Sequence, residues 1–147
     1  MSESIRYTVL QQVDTQLKTI QTANGYQTNI GRNVISPVDA MSSDNLPAVL
    51  WEVDEEEASA LHGSIIVLLP LMVVGVAQAG SDGPLLASEH VLADIVKCMT
   101  NPSMTLIGQI EYQSGGYGDL RNNPQSVTVT ANFNLKYTIT LGDPYTN

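Results

Sequence analysis

The chain has 147 residues, a length at which a single domain can bury a substantial hydrophobic core. Its 15 acidic and 6 basic residues give a formal net charge of −9, and a surface of that sign repels nucleic acid. Charged residues make up only 14% of the chain, whereas an average soluble domain has roughly a quarter. The composition therefore argues against nucleic-acid binding and favours a surface that contacts other proteins.

The single cysteine, Cys98, cannot form a disulfide within the chain. Residues 1–6 lack the basic region and following apolar run of a secretory signal. The longest apolar stretch, residues 63–79, is shorter than the ~20 residues that a membrane-spanning helix needs, and it contains Pro70 and Gly75. These features predict a cytoplasmic protein.

Near the N-terminus, apolar residues at three- and four-residue spacing predict an amphipathic helix over residues 3–21. Asn24 and Gly25 then end the helix and turn the chain. The face expected to be buried consists of Ile5, Val9, Leu10, Val13, Leu17 and Ile20.

Two strands are predicted between this helix and the centre of the chain. Residues 26–34 are mostly polar and fit a strand at the margin of a sheet. Residues 36–45, rich in Ser, Asp and Asn, fit a loop, and residues 46–53 fit a second strand. The four acidic residues 54–57, which we call the acidic tract, are expected to lead into a connection of small residues.

Residues 63–79 are predicted to form a third strand, because they are continuously apolar and rich in β-branched side chains. The strand can bend at Pro70 or Gly75, and both of its faces are expected to be covered. The two predicted helices can cover one face. The other face needs a partner, which is either the rest of the sheet folded over it or a neighbouring subunit.

The last third of the chain predicts one helix and two strands. Residues 81–84 combine a capping candidate with a proline, a helix-start signal, and the helix should end near residues 101–102. Residues 104–112 fit a fourth strand, and the Gly-rich residues 115–119 fit a long hairpin loop. Strict alternation over residues 127–139 predicts a long final strand.

These elements follow the order α-β-β-β-α-β-β along the chain. They predict a single α/β domain of the α+β kind over residues 1–147. Its two helices should pack on one face of a single mixed or antiparallel sheet.

Residues that could support catalysis or bind a metal are scattered along the sequence. His62 follows the acidic tract, so a metal site of His62 and residues 55–57 is one interpretation, and a solvated acidic loop is the other. His90 lies near Glu89 and Asp94, which predicts a surface ion pair. No Ser-His-Asp spacing, nucleophile elbow or Walker loop is present, so we expect neither an enzyme nor a bound metal or cofactor.

Three further features have structural interpretations. Cys98 lies on the apolar face of the second predicted helix and should be buried. Residues 115–119 lack the lysine and the following helix of a phosphate-binding loop, so an ordinary hairpin loop is favoured over a ligand site. Trp51 alternates with apolar neighbours, which favours core packing over an exposed binding hot spot.

The order of features over essentially the whole chain resembles the tail terminator proteins of long-tailed bacteriophages. Phage tail-completion and neck proteins share this size and this order of helices and strands. The segments that carry the resemblance are the N-terminal helix with residues 24–34, residues 46–49 with the acidic residues after them, the apolar strand 63–79, the helix around residues 94–97 and the closing strand 127–137.

Tail terminators form a ring, usually a hexamer, that caps the finished tail tube, stops its polymerisation and presents a surface to the head connector. The resemblance implies a homo-oligomeric ring with two partners, the tail tube protein and a head-connector or neck protein. It implies a location in the virion, after assembly in the host cytoplasm, and it implies no cofactor, no membrane and no specific binding of nucleic acid. An acidic ring also suits a channel through which DNA passes without sticking.

Two segments are the leading candidates for contacts with partners, and the polar residues 39–45 come next. The alternatives to a tail terminator are another neck or tail-completion subunit and, from a different class, a small-ligand or metal-binding module. The leading candidate residues are Asp54, Glu55, Glu56, Glu57, Gly115, Gly116, Tyr117, Gly118 and Asp119.

Overall fold

The computed structural model describes residues 2–39 and 46–147. Within these residues, two helices and a mixed sheet of six strands form an α+β fold, as the sequence predicts. The helices are α1 (Ile5–Leu17) and α2 (Pro84–Met99), and the strands are β1 (Val34–Ile35), β2 (Ala48–Val53), β3 (Glu57–Leu61), β4 (Ser64–Gln78), β5 (Gln109–Tyr117) and β6 (Ser126–Thr140).

The strands are arranged in the order β1-β2-β4-β6-β5, and β3 pairs with β4 on the same side as β2. β1 and β2 are parallel, and the other pairs are antiparallel. The long strands β4 and β6 pair over their whole length, from Ser64 opposite Thr140 to Gln78 opposite Ser126. This central pair leaves β5 at one margin of the sheet, and β1 and β3 at the other.

β2 and β3 lie end to end along β4, and a bulge separates them. Asp54, Glu55 and Glu56 lie opposite only two residues of β4, Leu69 and Pro70. Asp54 donates its N–H to the Pro70 carbonyl at 3.1 Å, whereas Pro70 has no N–H to return on that side. The pairing is therefore interrupted where the proline lies, and this lets a central strand contain a proline.

Ser4 caps the N-terminus of α1, because its Oγ accepts a hydrogen bond from the N–H of Tyr7 at 3.1 Å. The helix ends at Leu17 instead of residue 21, because Thr19 and Ile20 donate to carbonyls three residues back and tighten the chain. The buried face contains the predicted positions Ile5, Val9, Val13 and Leu17.

α2 begins with Pro84 in its first turn, as predicted, but its N-cap residue is Gly83 and no side chain caps the helix. It packs directly on β4 at Gly75, where a Cβ would collide with the Val91 Cγ1 atom and lie 3.1 Å from Ile95 Cδ1. Cys98 of α2 in turn contacts α1. Both helices therefore lie on one face of the sheet, as predicted.

The predicted marginal strand over residues 26–34 is wrong. The segment contains a 3-10 turn, Ile30–Arg32, before the two-residue strand β1. Gly31 donates its N–H to the carbonyl of Ile20 at 2.9 Å, so the chain crosses the end of α1. A Cβ at position 31 would lie 2.7 Å from that carbonyl, so only glycine allows this close crossing.

The predicted connection of small residues after the acidic tract is also wrong, because these residues form strand β3. β3 and β4 make a hairpin with the two-residue turn His62 and Gly63, whose φ angles are 47° and 82°. Positive φ at both positions is typical of a type I′ turn. The sheet therefore has one strand more than the sequence predicted.

Two strand boundaries differ near the C-terminus. The predicted strand over residues 104–112 begins only at Gln109, after Gly108 with a φ of 104°. The predicted hairpin loop over residues 115–119 is partly strand, because pairing with β6 extends β5 to Tyr117.

Candidate protein-interaction surfaces

One face of the sheet carries α1 and α2, and no helix or strand of the described residues covers the opposite face. We call this side the open face. Along β4, buried residues alternate with half-buried residues that point to the open face. The open-face side chains of β6 are all polar, namely Ser, Thr, Asn and Lys. An apolar row thus runs along the middle of the open face, and it consists of Ile66, Leu68, Pro70, Met72 and Val74.

The acidic tract is anchored to the fold by one of its carboxylates. Glu56 Oε1 lies 3.3 Å from Arg6 Nη1 on α1, and the Tyr137 hydroxyl on β6 donates to Glu56 Oε2 at 3.5 Å. The other three carboxylates of the tract are exposed and form no ion pair within the described residues. The tract is therefore held at Glu56 and presents three acidic side chains to solvent.

The Tyr137 hydroxyl at this anchor is strongly biased towards its neutral form. Burial raises the pKa of Tyr137 to about 12, and the negative charge of Glu56 adds to the rise while Arg6 opposes it. The protonated hydroxyl can therefore remain the donor to Glu56 over the ordinary pH range.

The second candidate segment lies at the other margin of the sheet. Gly115, Gly116 and Tyr117 end the edge strand β5, and residues 118–119 follow it. The Tyr117 hydroxyl donates to Glu89 Oε1 on α2 at 2.6 Å, and this hydrogen bond raises the pKa of Tyr117. The structure therefore does not bring the two candidate segments together, because they lie at opposite margins of the sheet.

His62 is not close to the acidic tract. It lies in the exposed turn after β3, and the five residues of this strand span roughly 16 Å between the tract and the turn. In residues 2–39 and 46–147, no three His, Cys, Asp or Glu side chains are grouped so that they could hold a metal ion.

The predicted ion pair of His90 with Glu89 or Asp94 is not formed in the described part of the chain. Glu89 binds Tyr117, and Asp94 is only 2% exposed. The carboxylate of Asp94 accepts the N–H of Gln27 at 3.1 Å and, from Thr28, the N–H at 2.7 Å and the hydroxyl at 2.6 Å.

Sequence reasoning missed this role of Asp94, although its position gave a signal. Asp94 follows Val91 by three residues and precedes Cys98 by four, so it lies on the apolar face of α2. A carboxylate on a buried helix face must find donors, and here they come from the irregular segment after α1.

Two expectations about core residues are confirmed. Cys98 is fully buried, its Sγ donates to the Gln16 carbonyl at 3.2 Å, and burial raises the pKa of the thiol. Trp51 is 6% exposed, and its Nε1–H donates to Asp14 Oδ1 of α1 at 2.9 Å. Cys98 therefore connects α2 to α1, and Trp51 connects β2 to α1.

Most of the third candidate segment, residues 39–45, lies outside the described residues. Asp39 at its start accepts hydrogen bonds from the N–H and hydroxyl of Ser36, at 3.3 and 2.8 Å. Among the residues that the structure describes, no helix is both long enough and apolar enough to cross a membrane.

A comparison of the sequence with models of known protein families and with curated proteins finds no match. The resemblance to tail terminators therefore stays a prediction.

Proposed function

We propose that the chain is a structural subunit of a bacteriophage tail. It assembles into a hexameric ring that caps the tail tube, ends the polymerisation of the tube and offers an attachment surface to the head connector. This role requires extensive contact surfaces and no catalytic chemistry.

The observation that supports this proposal best is the open face with its apolar row. Five apolar side chains lie only half-buried on the strand that forms the centre of the sheet. A contiguous, partly exposed apolar row of this kind is typical of a site of protein association. Within the described residues the sheet does not fold over this face, so the partner is a neighbouring subunit or the tail tube.

The charge of the chain supports the same role. The net charge of −9 and the three unpaired carboxylates of the acidic tract give a surface that repels phosphates. DNA that enters or leaves through a ring of such subunits would therefore slide without being held. The partners proposed here are accordingly copies of the chain, the tube protein and a connector or neck protein.

Native mass spectrometry over a range of concentrations, with electron microscopy of the purified chain mixed with tail tubes, tests this proposal. We expect closed rings of about six subunits, formed in solution or on the tube end, and tubes whose growth stops once the chain is added. A chain that neither oligomerises nor binds tube ends would overturn the proposal. Rings that bind a connector but leave tube growth unchanged would instead identify a neck or tail-completion subunit.

A further inference from the structure

The sheet has two free margins, and they differ from one another. β5 pairs only with β6, so its second side is unpaired along its length. At the opposite margin β1 covers part of β2, whereas β3 pairs only with β4. The free backbone groups of the described sheet are therefore concentrated on β3 and β5.

The direction of the backbone groups on β4 shows which groups of β3 are free. The Pro70 carbonyl accepts from Asp54, so even-numbered residues of β4 direct their backbone groups towards β2 and β3. The even-numbered residues of β4 pair with the odd-numbered residues of β3. The backbone groups of Ala58 and Ala60 therefore point away from the sheet, to the free margin.

The same alternation, carried through β6, shows which groups of β5 are free. Lys136 directs its backbone groups towards β5 and pairs with Gln109, so the next residue, Ile110, faces the free margin. Beyond the bulge in β5, Gly115 and Tyr117 take the outward positions. The Gly-rich segment is thus part of an unpaired edge.

The two edge strands have few of the features that prevent pairing with another chain: β3 is uninterrupted, and β5 is interrupted by one bulge, between Tyr112 and Ser114. Neither contains proline, and each contains one charged residue, Glu57 in β3 and Glu111 in β5. Edges without proline and with a single charge are templates for strand addition. Two such edges on one molecule permit a head-to-tail contact, and a closed ring requires a contact of this kind.

The charges next to the edges disfavour the pairing of two β3 margins. Two β3 edges brought together would bring two acidic tracts together, with three unpaired carboxylates each. Next to β5, Lys136 is exposed on the open face and has no ion pair within the described residues. Glu111 of β5 is exposed on the same face, so the charges of this margin nearly cancel, and it repels the acidic β3 margin less than a second β3 margin would.

We infer that β3 of one copy of this chain pairs with β5 of the next copy, so that the sheets of neighbouring subunits form one continuous sheet around the ring. This inference rests on the proposed ring. It assigns the two leading candidate segments to the two halves of a single subunit contact, because the acidic tract leads into β3 and Gly115–Tyr117 end β5.

Amide hydrogen exchange of the full chain tests the inference, with the dilute monomer compared to the assembled ring, in solution or on tube ends. Pairing should slow exchange by about tenfold or more in residues 57–61 and 109–117 together, because free amides become hydrogen-bonded. The amides of β4 and β6 already pair within the monomer and serve as the internal reference.

The outcomes separate the inference from the function on which it rests. Rings in which only residues 109–117 gain protection would mean β5–β5 contacts, and rings in which neither edge gains protection would mean contacts elsewhere. Both results overturn the inference and leave the ring intact. If no ring forms either in solution or on tubes, the proposed function fails.

A pair of substitutions at one position provides an independent test. Ala58→Pro removes an N–H that points away from β4, so it blocks strand addition without removing a hydrogen bond of the monomer. Ala58→Thr, a matched control, changes the same side chain but keeps the N–H. We expect rings only from the Thr variant, with circular dichroism showing that both variants fold, and rings from a folded Pro variant would contradict the inference.

Discussion

Asp94 shows how a buried charge is tolerated in this fold. Its carboxylate is 2% exposed and has no cationic partner in the described residues, but it accepts three hydrogen bonds from Gln27 and Thr28. Hydrogen bonds to a charged acceptor are worth roughly 1.5–3 kcal/mol each and offset part of the desolvation cost. Asp94 thereby ties the irregular segment after α1 to α2.

Because of Tyr137, the free energy of unfolding should depend on pH in the alkaline range. Its pKa is about 12 in the folded chain and 10.0 in an unperturbed tyrosine, so folding favours the neutral phenol. This stabilisation is complete below pH 10 and is lost as the pH rises towards 12. Tyr137→Phe should therefore flatten the decline of the unfolding free energy between pH 10 and 12, by at most about 1.4 kcal/mol per pH unit.

Urea unfolding of the monomer at a series of pH values measures this slope. Tyr145→Phe is the matched control, because Tyr145 is 53% exposed and should leave the slope unchanged. Equal slopes for the wild type and Tyr137→Phe would show that the buried phenol does not carry this dependence.

At the scale of elements, the contact between α2 and β4 depends on a residue without a side chain. Gly75→Ala would force Val91 and Ile95, and hence α2, away from the sheet. We expect a loss of about 1–3 kcal/mol in the free energy of unfolding, as for other overpacked cores. Gly116→Ala is the matched control, because nothing lies within 4 Å of a Cβ at that strand position.

Chemical denaturation of both glycine variants, at concentrations where the chain is monomeric, makes this comparison. Gly116→Ala should be neutral or slightly stabilising, since the substitution reduces the freedom of the unfolded chain. Similar midpoints for the two variants would mean that α2 can shift at little cost.

At the scale of the whole molecule, a substitution on the open face can impair assembly while the monomer still folds. Met72 lies in the apolar row opposite Glu52, so Met72→Lys places a cation beside an anion and should leave the monomer folded. A charge on a surface that assembly covers must be desolvated, and we expect the capping of tail tubes to fall by about tenfold or more.

Leu86→Lys makes the same kind of change at an exposed leucine on α2, on the opposite side of the sheet, and should leave capping unchanged. Tube length measured by electron microscopy against added protein gives the capping activity of each variant. Full capping by Met72→Lys would mean that the apolar row is not part of the assembly surface.

Elements whose signal is local and repeated could be predicted from the sequence. The spacing of Ile5, Val9, Val13 and Leu17 marks α1, the continuous apolar run marks β4, and alternation marks β6. The burial of Trp51 and Cys98 followed from the same patterns. Periodicity is enough in these cases because the residues of each element alone determine which of its faces is buried.

The pairing of strands and the margins of the sheet depend instead on contacts within the folded chain. β3 is a strand because β4 offers it a partner, and β5 reaches Tyr117 because β6 extends beside it. The residues 26–34 are irregular because Gly31 must cross the end of α1. These features depend on contacts between residues that are far apart in the chain, and no local pattern contains the free energies of those contacts. The free edges that we propose to join subunits could therefore not be predicted from the sequence.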